Sequence, residues 1–343
     1  MSTAKQTISL AHGAGGKAMH DLIEAVFLSR FDNPHLRPLD DQAKLNLADL
    51  TARGDRLALT TDSFVVDPLF FPGGDIGRLA ICGTVNDLAV GGARPLYLTC
   101  GFIIEEGLEI ATLERVAASM RAAADEAGIA IVAGDTKVVE RGSADKLFIN
   151  TTGIGVIPHA IDVAAGNAKP GDRVIVSGPL GDHGIAILAA RGKLDFETRL
   201  VSDCRPLHDL VGAMLDACPT IGAMRDITRG GLGTVLCEIA SASGCAIEID
   251  ETALPLHTEV RSAAELLGLD VLYLACEGAL AAIVPADAAE RILDAMQHHP
   301  YGRDAALVGE VREAGRIGVT MRTSFGGRRS VDPLIGEQLP RIC

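Results

Sequence analysis

The chain has 343 residues, enough for about two domains, and hydrophobic residues make up 48% of it, which suffices for a sizeable core. Acidic residues outnumber basic ones by 45 to 31, and the resulting net charge of −14 argues against binding to nucleic acid. No apolar run approaches the roughly 20 residues of a membrane span, and the N-terminus lacks a secretory pattern. We therefore predict a cytoplasmic protein that contacts neither nucleic acid nor membrane.

Helical and extended patterns alternate through the first half of the chain. After a glycine-rich opening, a helical pattern is centred on residues 20–30. Apolar periodicity then predicts strands at 56–61, 97–104, 129–133 and 147–156 and helices at 77–89 and 109–127. We assign residues 1–36 to an N-terminal glycine-rich segment and helix, and residues 37–158 to a first domain.

The second half begins after a stretch at 157–171 that contains Pro and Gly and has little periodicity. Helical patterns follow from about 183 and at 207–217, 230–243, 257–267 and 287–298. Strand patterns occur at 172–177, 246–249, 271–275, 280–284, 305–311 and 316–321. This alternation predicts an α/β (α+β) protein of two domains, the second of which covers residues 170–321.

Four aspartates stand where an apolar run is predicted to end. They are Asp62 (LTTDSF), Asp87 (TVNDLAVGG), Asp135 (VAGDTK) and Asp226 (MRDITRGG). Any one of them alone is typical of a turn or a helix N-cap. Because strand ends in α/β proteins gather ligands from distant parts of the chain, the four together favour a site for Mg²⁺ that is bound with nucleotide phosphates.

Two glycine-rich segments have backbone N–H groups suited to phosphates. The first, HGAGGK, contains Gly13, Gly15, Gly16 and Lys17, and the second is GPLGDHG at 178–184. The first is not a Walker A loop because Ala18 follows its lysine, and the second lacks the GxGxxG spacing. A helix-capping turn is the alternative for the second segment. His12 and His183 lie within these segments and are candidate phosphate contacts.

Lys137 and Glu277 are candidates for acid–base chemistry. Each follows a predicted strand, in IAIVAGDTK and VLYLACE, where a charge is costly unless it is paired or functional. A surface salt bridge is the alternative for each residue.

The stretch 322–343 has two Gly-rich turns, two Pro and no periodicity, and we predict that it is an extended, mobile tail. Its four arginines (322, 328, 329 and 341) favour docking onto an acidic or phosphate-bearing pocket of its own chain or of a partner. Cys343 is the last residue, which excludes prenylation because that needs three further residues. A thiol at the tip of such a tail suits a carrier arm, and an incidental cysteine is the alternative.

The motifs together resemble the HypE family of [NiFe]-hydrogenase maturation factors. The resemblance spans about residues 8–343 and rests on HGAGGK, TTDSFVVDP, GTVNDLAVGGARP, AGDTKVVERG, GDHG, RDITRGGLGTVL, CEGAL and LPRIC. The terminal Cys is its most specific mark, and Cys276 departs from it, since the family has Ser there. The resemblance implies the two-domain PurM-like ATP-binding fold of the aminoimidazole-ribonucleotide-synthetase-like superfamily, with 322–343 as a carrier tail.

The same resemblance implies a reaction. A carbamoyltransferase, HypF, would place a carbamoyl group on Cys343, and the enzyme, a carbamoyl dehydratase, would use ATP to dehydrate this S-carboxamide to a thiocyanate. The cyano group would then pass to iron on a HypC–HypD complex.

The resemblance also implies roles for particular residues. The four aspartates would lie in the Mg²⁺–ATP region, and the HGAGGK loop would cover the phosphates. Glu277 would take protons from nitrogen, and Lys137 would offset developing charge. The chain would form a homodimer through its first domains, with the nucleotide near that interface.

Two other classes of function stay open. Aminoimidazole ribonucleotide synthetase, thiamine-monophosphate kinase and selenophosphate synthetase belong to the same superfamily, but their chemistry has no role for a terminal cysteine. A non-enzymatic thiol carrier would use Cys343 and would leave the four aspartates and both glycine-rich segments unexplained. ATP hydrolysis with and without Cys343 separates these classes.

Overall fold

A computed structural model describes residues 6–192, 198–336, 338–339 and 341–343. The first part of the chain folds into these elements: α1 (Lys17–Leu22), which continues as a π-helix (Ile23–Leu28) and α2 (Ser29–Phe31), then α3 (Leu47–Thr51), β1 (Arg56–Phe64), β2 (Phe70–Phe71), β3 (Gly74–Asp75), α4 (Ile76–Val90), β4 (Arg94–Glu105), α5 (Ile110–Glu126), β5 (Ala130–Val139) and β6 (Leu147–Ile157).

The second part contains β7 (Arg173–Val176), α6 (Asp182–Ala190), α7 (His208–Ala217), β8 (Ala223–Asp226), α8 (Gly231–Ser243), β9 (Ala246–Asp250), α9 (Thr258–Leu267), β10 (Leu280–Val284), α10 (Ala289–His298), β11 (Ala306–Arg312), β12 (Gly318–Arg322) and β13 (Arg328–Val331). Among the described residues, no helix is long and apolar enough to cross a membrane.

The first domain is a four-stranded sheet in the order β1-β6-β4-β5, with helices on one face. Helix α4 begins at Asp75, whose carboxylate accepts hydrogen bonds from the N–H groups of Gly77 and Arg78. It packs so closely on β6 that a Cβ at Gly153 would lie 2.7 Å from Thr84 Cγ2. Glycine at this crossing therefore sets the distance between helix and sheet.

The opposite face of the four-stranded sheet is covered at one end only, where Leu50 of α3 packs on Val156 and His35 contacts Tyr97. It carries Leu57 and Leu59 on β1 and Ile103 on β4, whose exposed fractions lie between 44% and 68%. We call this the open face. Exposed leucine and isoleucine side chains on one sheet face are typical of a surface that meets another protein.

The second domain is a seven-stranded sheet in the order β13-β12-β9-β11-β7-β10-β8, with helices on both faces. Strand β10 is buried along its whole length, and its side chains alternate between two cores. One core is formed with α8 and the other with α7 and α10. The predicted two-domain α/β (α+β) fold is thus confirmed.

Some predicted element bounds differ from the structure. Strands β1 and β5 run past Asp62 and Asp135, so these two aspartates lie within strands and not at their ends. The predicted strand at 271–275 is instead a 3-10 helix, Val271–Tyr273, because the Asp270 carboxylate accepts a hydrogen bond from the N–H of Leu272. Buried leucines at 272 and 274 gave this segment the composition of a strand.

The tail is more ordered than its sequence predicts. Arg328–Val331 forms β13, which pairs antiparallel with β12 at the edge of the second sheet. The four tail arginines all form ion pairs with carboxylates of the same chain, and the pairs are Arg322–Asp250, Arg328–Glu248, Arg329–Asp270 and Arg341–Asp145. The four arginines thus pair with carboxylates of their own chain, which is one of the docking options that the sequence leaves open.

Candidate active site

A cavity of about 790 Å³ lies between the two domains. It is lined by β1 and the C-terminal end of α4 from the first domain and by β8 and the start of α8 from the second. Asp87 and Asp226 lie on its wall, and so do Arg225 and Arg229. The cavity, which we call the interdomain cavity, thus combines carboxylates and guanidinium groups in a space large enough for a small-molecule ligand.

The acidic groups of the interdomain cavity are compensated only in part, by the charge of Arg225, which acts to lower the pKa of Asp87 and of Asp226. Thr60 Oγ1 donates a hydrogen bond of 2.8 Å to Asp87 Oδ2, and burial, followed by the charge of Asp62, raises the pKa of Asp87. Burial and the neighbouring charge of Asp87 raise the pKa of Asp226 to about 7. Among the described residues, neither Asp87 nor Asp226 forms an ion pair. A bound cation would relieve this arrangement.

Asp135 and Lys137 lie elsewhere, on the open face. Asp62 is opposite Thr151 on β6, which is buried under α4, whereas Asp135 aligns with Gly101 and with the exposed Asn150. Because side chains alternate along a strand, Asp62 and Asp135 point to opposite faces of the sheet. Lys137 Nζ is 2.7 Å from an Asp135 carboxylate oxygen, and its hydrogen bond lowers the pKa of Asp135.

In a single chain, therefore, three of the four predicted metal ligands approach one another, and Asp135 does not. Throughout the described residues there is no group of three or more His, Cys, Asp or Glu side chains placed to hold a metal ion. Mg²⁺ commonly takes only one or two carboxylates and completes its shell with water and phosphate oxygens. Asp87 and Asp226 fit that requirement, with Asp62 near enough to contribute charge.

Cys343 lies in the cleft between the domains. The N–H of Val65 donates to the Cys343 backbone oxygen at 3.2 Å, and Ile342 is buried against the first-domain core. A second cavity, of about 370 Å³, is lined by the tail and by Arg229, Gly230, Thr234 and Tyr273. We call it the tail cavity. Burial raises the pKa of the Cys343 thiol strongly, and the charge of Glu277 adds to this effect.

Glu277 is buried, with 3% of its surface exposed, and its Oε1 has no hydrogen-bond partner among the described residues. Burial, followed by the charge of Asp226, raises the pKa of Glu277 well above its usual range. A buried carboxyl oxygen without a hydrogen-bond partner is costly to keep, which makes Glu277 a candidate for contact with a ligand. The structure brings Glu277 and Cys343 to the same cleft and leaves Lys137 on the open face.

Two polar residues that the sequence analysis did not single out hold the Glu277 loop in place. The Asp203 carboxylate accepts hydrogen bonds from the N–H groups of Glu277 and Gly278, at 2.9 and 3.0 Å. Buried Asn86, which precedes Asp87 on α4, accepts from the N–H of Leu207 at 2.7 Å and so ties the two domains together. The position of Asn86 beside Asp87 could have indicated it in the sequence, whereas nothing in the sequence indicated Asp203.

Arg229 is a third residue that was not predicted as part of the site. It lines both the interdomain cavity and the tail cavity. It follows Asp226 in the RDITRGG segment, and among the described residues its guanidinium group has no hydrogen-bond or ion-pair partner. Its charge acts on the Cys343 thiol in the direction opposite to that of Glu277. Arg229 is thus a free cation between the carboxylates of the interdomain cavity and the terminal thiol.

The two glycine-rich segments differ in how much of their backbone remains available to a ligand. In the first, Gly13 packs against Val138 of β5, while nothing lies within 4 Å of a Cβ built on Gly15 or Gly16. Lys17 is exposed and pairs with Asp21. His12 lies in the 3-10 helix Leu10–Gly13, and its Nδ1 accepts a hydrogen bond of 2.9 Å from the N–H of Ser9, the N-cap of that helix.

In the second segment three N–H groups already have hydrogen-bond partners within the protein. The N–H of Leu180 donates to Pro255, that of Gly184 donates to Ala275, and that of Gly181 donates to the Cys276 sulfur at 3.2 Å. The prediction that this segment offers its backbone to phosphate therefore does not hold for these three groups. The Cys276 departure has a local consequence only, since sulfur takes a hydrogen bond there.

The fold and this cleft define a class of protein. Residues 39–157 match the family description "AIR synthase related protein, N-terminal domain", and residues 169–322 match "AIR synthase related protein, C-terminal domain". The chain is thus a two-domain protein of the AIR synthase-related class.

Individual relatives narrow the class. The chain is 54% identical to "Carbamoyl dehydratase HypE" of Rhodobacter capsulatus, over 100% of both chains. It also resembles a crystal structure of the hydrogenase maturation protein HypE in complex with ATP, with a TM-score of 0.92 and 49% identity over 97% of this chain and 99% of that one. A HypE–HypF complex structure matches with a TM-score of 0.79 and 49% identity, over 91% and 99%. The chain belongs to the HypE family of carbamoyl dehydratases.

Proposed function

We propose that this carbamoyl dehydratase acts on an S-carboxamide carried by its own Cys343 and converts it to a thiocyanate at the expense of ATP. The observation that carries the proposal is the position of Cys343. Cys343 lies in the same cleft as the Glu277 carboxyl, whose Oε1 has no hydrogen-bond partner among the described residues. The tail cavity beside Cys343 adjoins the interdomain cavity, which Asp87 and Asp226 line. A small-molecule kinase of the same class would have no use for this arrangement.

The interdomain cavity is the proposed nucleotide site. Asp87 and Asp226 would hold Mg²⁺, with Asp62 contributing charge, and a relative of this chain has been crystallised with ATP. When bound, Mg²⁺–ATP would phosphorylate the carboxamide oxygen and so turn a poor leaving group into phosphate. The open surroundings of Gly15 and Gly16 suit the HGAGGK loop for covering phosphates, together with Gly13 and Lys17.

Glu277 is the proposed base. The balanced conversion removes both N–H protons and the oxygen of the carboxamide, leaves carbon triply bonded to nitrogen, and needs no oxidant or reductant. A carboxylate with a raised pKa is a stronger base than an ordinary one, and the low polarity around Glu277 provides that property. Asp203 and Gly278 would fix its direction, since a Cβ at Gly278 would lie 1.9 Å from the Asp203 carbonyl oxygen.

The group that offsets developing negative charge is, in a single chain, Arg229 and not Lys137. Arg229 faces both cavities, whereas Lys137 lies across the sheet and is paired with Asp135. A guanidinium group suits a transferring phosphoryl group because it can donate two parallel hydrogen bonds. Lys137 would act in catalysis only if a second chain packed on the open face brings it to a nucleotide.

Three partners complete the proposal. HypF would supply the carbamoyl group, in line with the HypE–HypF complex of a relative, and a HypC–HypD complex would accept the cyano group on iron. A homodimer would pair the open faces, where Leu57, Leu59 and Ile103 are exposed. All eight cysteines are free thiols, which is consistent with the proposed cytoplasmic location.

Intact-protein mass spectrometry tests the proposal. The chain is incubated with HypF, carbamoyl phosphate and ATP, and we expect the mass of one carbamoyl group to be gained on Cys343 and one water to be lost afterwards. Omission of ATP after carbamoylation should prevent the water loss. A Cys343→Ser chain should gain nothing. Carbamoylated protein that keeps its water in the presence of ATP and Mg²⁺ would show that the dehydratase activity lies elsewhere.

A further inference from the structure

The GDHG part of the second glycine-rich segment does not line the interdomain cavity, and the N–H groups of its two glycines already have partners within the protein. Its histidine is fully buried. His183 Nε2 lies 2.6 Å from the carbonyl oxygen of Ile342, the residue that precedes Cys343. His183 Nδ1 lies 2.8 Å from Ser202 Oγ. The segment therefore contacts the tail one residue from the reacting thiol.

The protonation of His183 follows from these contacts. A carbonyl oxygen only accepts hydrogen bonds, so Nε2 carries the hydrogen and donates it to Ile342. Burial lowers the pKa of His183, and in the neutral ring Nδ1 then accepts from the Ser202 hydroxyl. Ser202 Oγ also accepts from the N–H of Cys204 at 3.1 Å, and the Phe71 ring packs edge-on against the imidazole. The ring is thus fixed in direction as well as in tautomer.

The glycine after His183 makes room for the tail. A Cβ on Gly184 would lie 3.0 Å from Leu339 Cδ1 and 3.4 Å from the Ala275 nitrogen. Leu339 packs against the first-domain core and also against a cluster of the second domain. The two residues therefore act together on the tail. Gly184 leaves space for Leu339, and His183 bonds the backbone of Ile342.

Further bonds secure the same stretch. The Arg191 guanidinium donates to the Arg341 carbonyl oxygen at 2.6 Å, and the Arg341 side chain reaches Val65 and Asp145. These contacts lie on the surface, whereas the His183–Ile342 bond is buried and adjoins Cys343. Loss of a buried hydrogen bond costs more than loss of an exposed one, because water cannot replace the donor at a buried acceptor.

We propose that His183 is a positioning residue for the dehydration step, whose Nε2–H holds the Ile342 carbonyl so that the Cys343 side chain stays beside Glu277. The inference rests on the proposed function for its consequence and on the structure for its geometry. Loss of the bond shifts the tail toward the undocked state, in which Cys343 is open to solvent and to a carbamoyl donor. One substitution should therefore raise the reactivity of the thiol and lower the rate of dehydration.

Thiol labelling measures docking without any partner protein. Cys343 is the least buried of the eight cysteines, so alkylation followed by mass spectrometry of the C-terminal peptide reports on the tail. We expect His183→Phe to raise the labelling rate about tenfold, since a bond of this kind is worth about that factor. His183→Gln places an amide N–H where Nε2 was and should stay within about threefold of the natural chain. His298→Phe, at an exposed position on α10, is the control.

The dehydration step supplies the second readout. After carbamoylation by HypF, His183→Phe should lose water about tenfold more slowly than the natural chain, and His183→Gln should restore most of the rate. Equal labelling of the Phe variant and the natural chain, or equal behaviour of the Gln and Phe variants, would overturn the inference. If His183→Phe does not fold, His183→Asn, whose amide is one carbon too short to reach Ile342, takes its place. Failure of the natural chain to lose water would instead overturn the proposed function, and labelling would still test the tail contact.

Discussion

Two aspartates that share one sequence signature have opposite electrostatic settings. Asp226 lies in the cleft between the domains, where burial and Asp87 raise its pKa to about 7. Asp135 lies on the open face, where the hydrogen bond from Lys137 lowers its pKa. Both follow an apolar run in the sequence. The difference teaches that a carboxylate without an ion pair among the described residues is the better candidate for a ligand site.

The same contrast separates Glu277 from Lys137. The chain buries Glu277 and leaves Oε1 without a partner among the described residues, whereas it exposes Lys137 and pairs it. An orphaned group in the cleft is costly to maintain, and an exposed ion pair costs little. Substitutions on the cleft side should therefore affect chemistry strongly, and those on the open face should affect it weakly.

Glu277→Gln should have the largest effect. It keeps the size of the side chain and removes the base, so single-turnover water loss from carbamoylated protein should slow by about 10²- to 10⁴-fold. Carbamoylation of Cys343 by HypF should continue, and Lys146→Ala, an exposed position outside both cavities, serves as the control. An unchanged rate of water loss would remove Glu277 from the mechanism.

Asp226→Asn should slow dehydration by about 10²-fold through loss of the Mg²⁺–nucleotide site, and it also gives a test by pH. The folded-state pKa of Asp226 is about 7, well above the value of an unfolded chain, so its protonated form favours the folded state. Its contribution to the free energy of unfolding should fall as pH rises from about 4 to 7. Asp226→Asn should remove that decline, as measured by denaturant unfolding without nucleotide.

Asp135→Asn is the matched comparison, with the sign reversed. The pKa of Asp135 is lowered in the folded chain, so its stabilising contribution is present above the unfolded pKa and is lost as pH falls through the folded value. Stability profiles of the two Asn variants against the natural chain should therefore differ in opposite directions. Profiles of the same sign would contradict the division of the aspartates between the two faces.

Arg229→Ala should come next, with dehydration slowed by roughly tenfold to 10²-fold as the charge facing both cavities is lost. Arg229→Lys should recover part of the rate, since it restores charge without the planar pair of donors. Arg121→Ala removes an exposed arginine that is paired with Asp125 on α5, and it should leave the rate unchanged. Single-turnover mass spectrometry at saturating ATP is the measurement. Full activity of Arg229→Ala would return the charge-offsetting role to Lys137.

The sequence predicted most elements because their apolar periodicity extends over many residues. Strand 280–284 coincides with β10, and the helices at 77–89 and 230–243 fall within one residue of α4 and α8. Short segments were harder, and β8 and β13 were not predicted. β8 is held by pairing with β10, which is distant from it in sequence. β13 is held by pairing with β12, the strand before it.

The site was predictable in its residue types and not in its grouping. Asp62 and Asp135 are assigned to opposite faces by strand registers, which no spacing within one strand reveals. His183 was a candidate phosphate contact because it lies in a glycine-rich segment. Its hydrogen-bond partner in the structure, the carbonyl of Ile342, lies 159 residues away in sequence. The carrier role of the terminal Cys343, in contrast, is a prediction that rests on residue type and position alone.

The smallest effect should come from the Asp135–Lys137 pair itself. Both side chains are more than 60% exposed, so a double-mutant cycle of Asp135→Asn and Lys137→Ala should give a coupling below about 1 kcal/mol in unfolding experiments, and less at high salt. If the open faces pair in a homodimer, the same residues become desolvated, and the coupling should instead appear in the dimer dissociation constant. Sedimentation of the four chains over a dilution series separates the two cases. A coupling that is large in the monomer would mean that the open face is shielded within one chain, and the contrast between the two faces would then be lost.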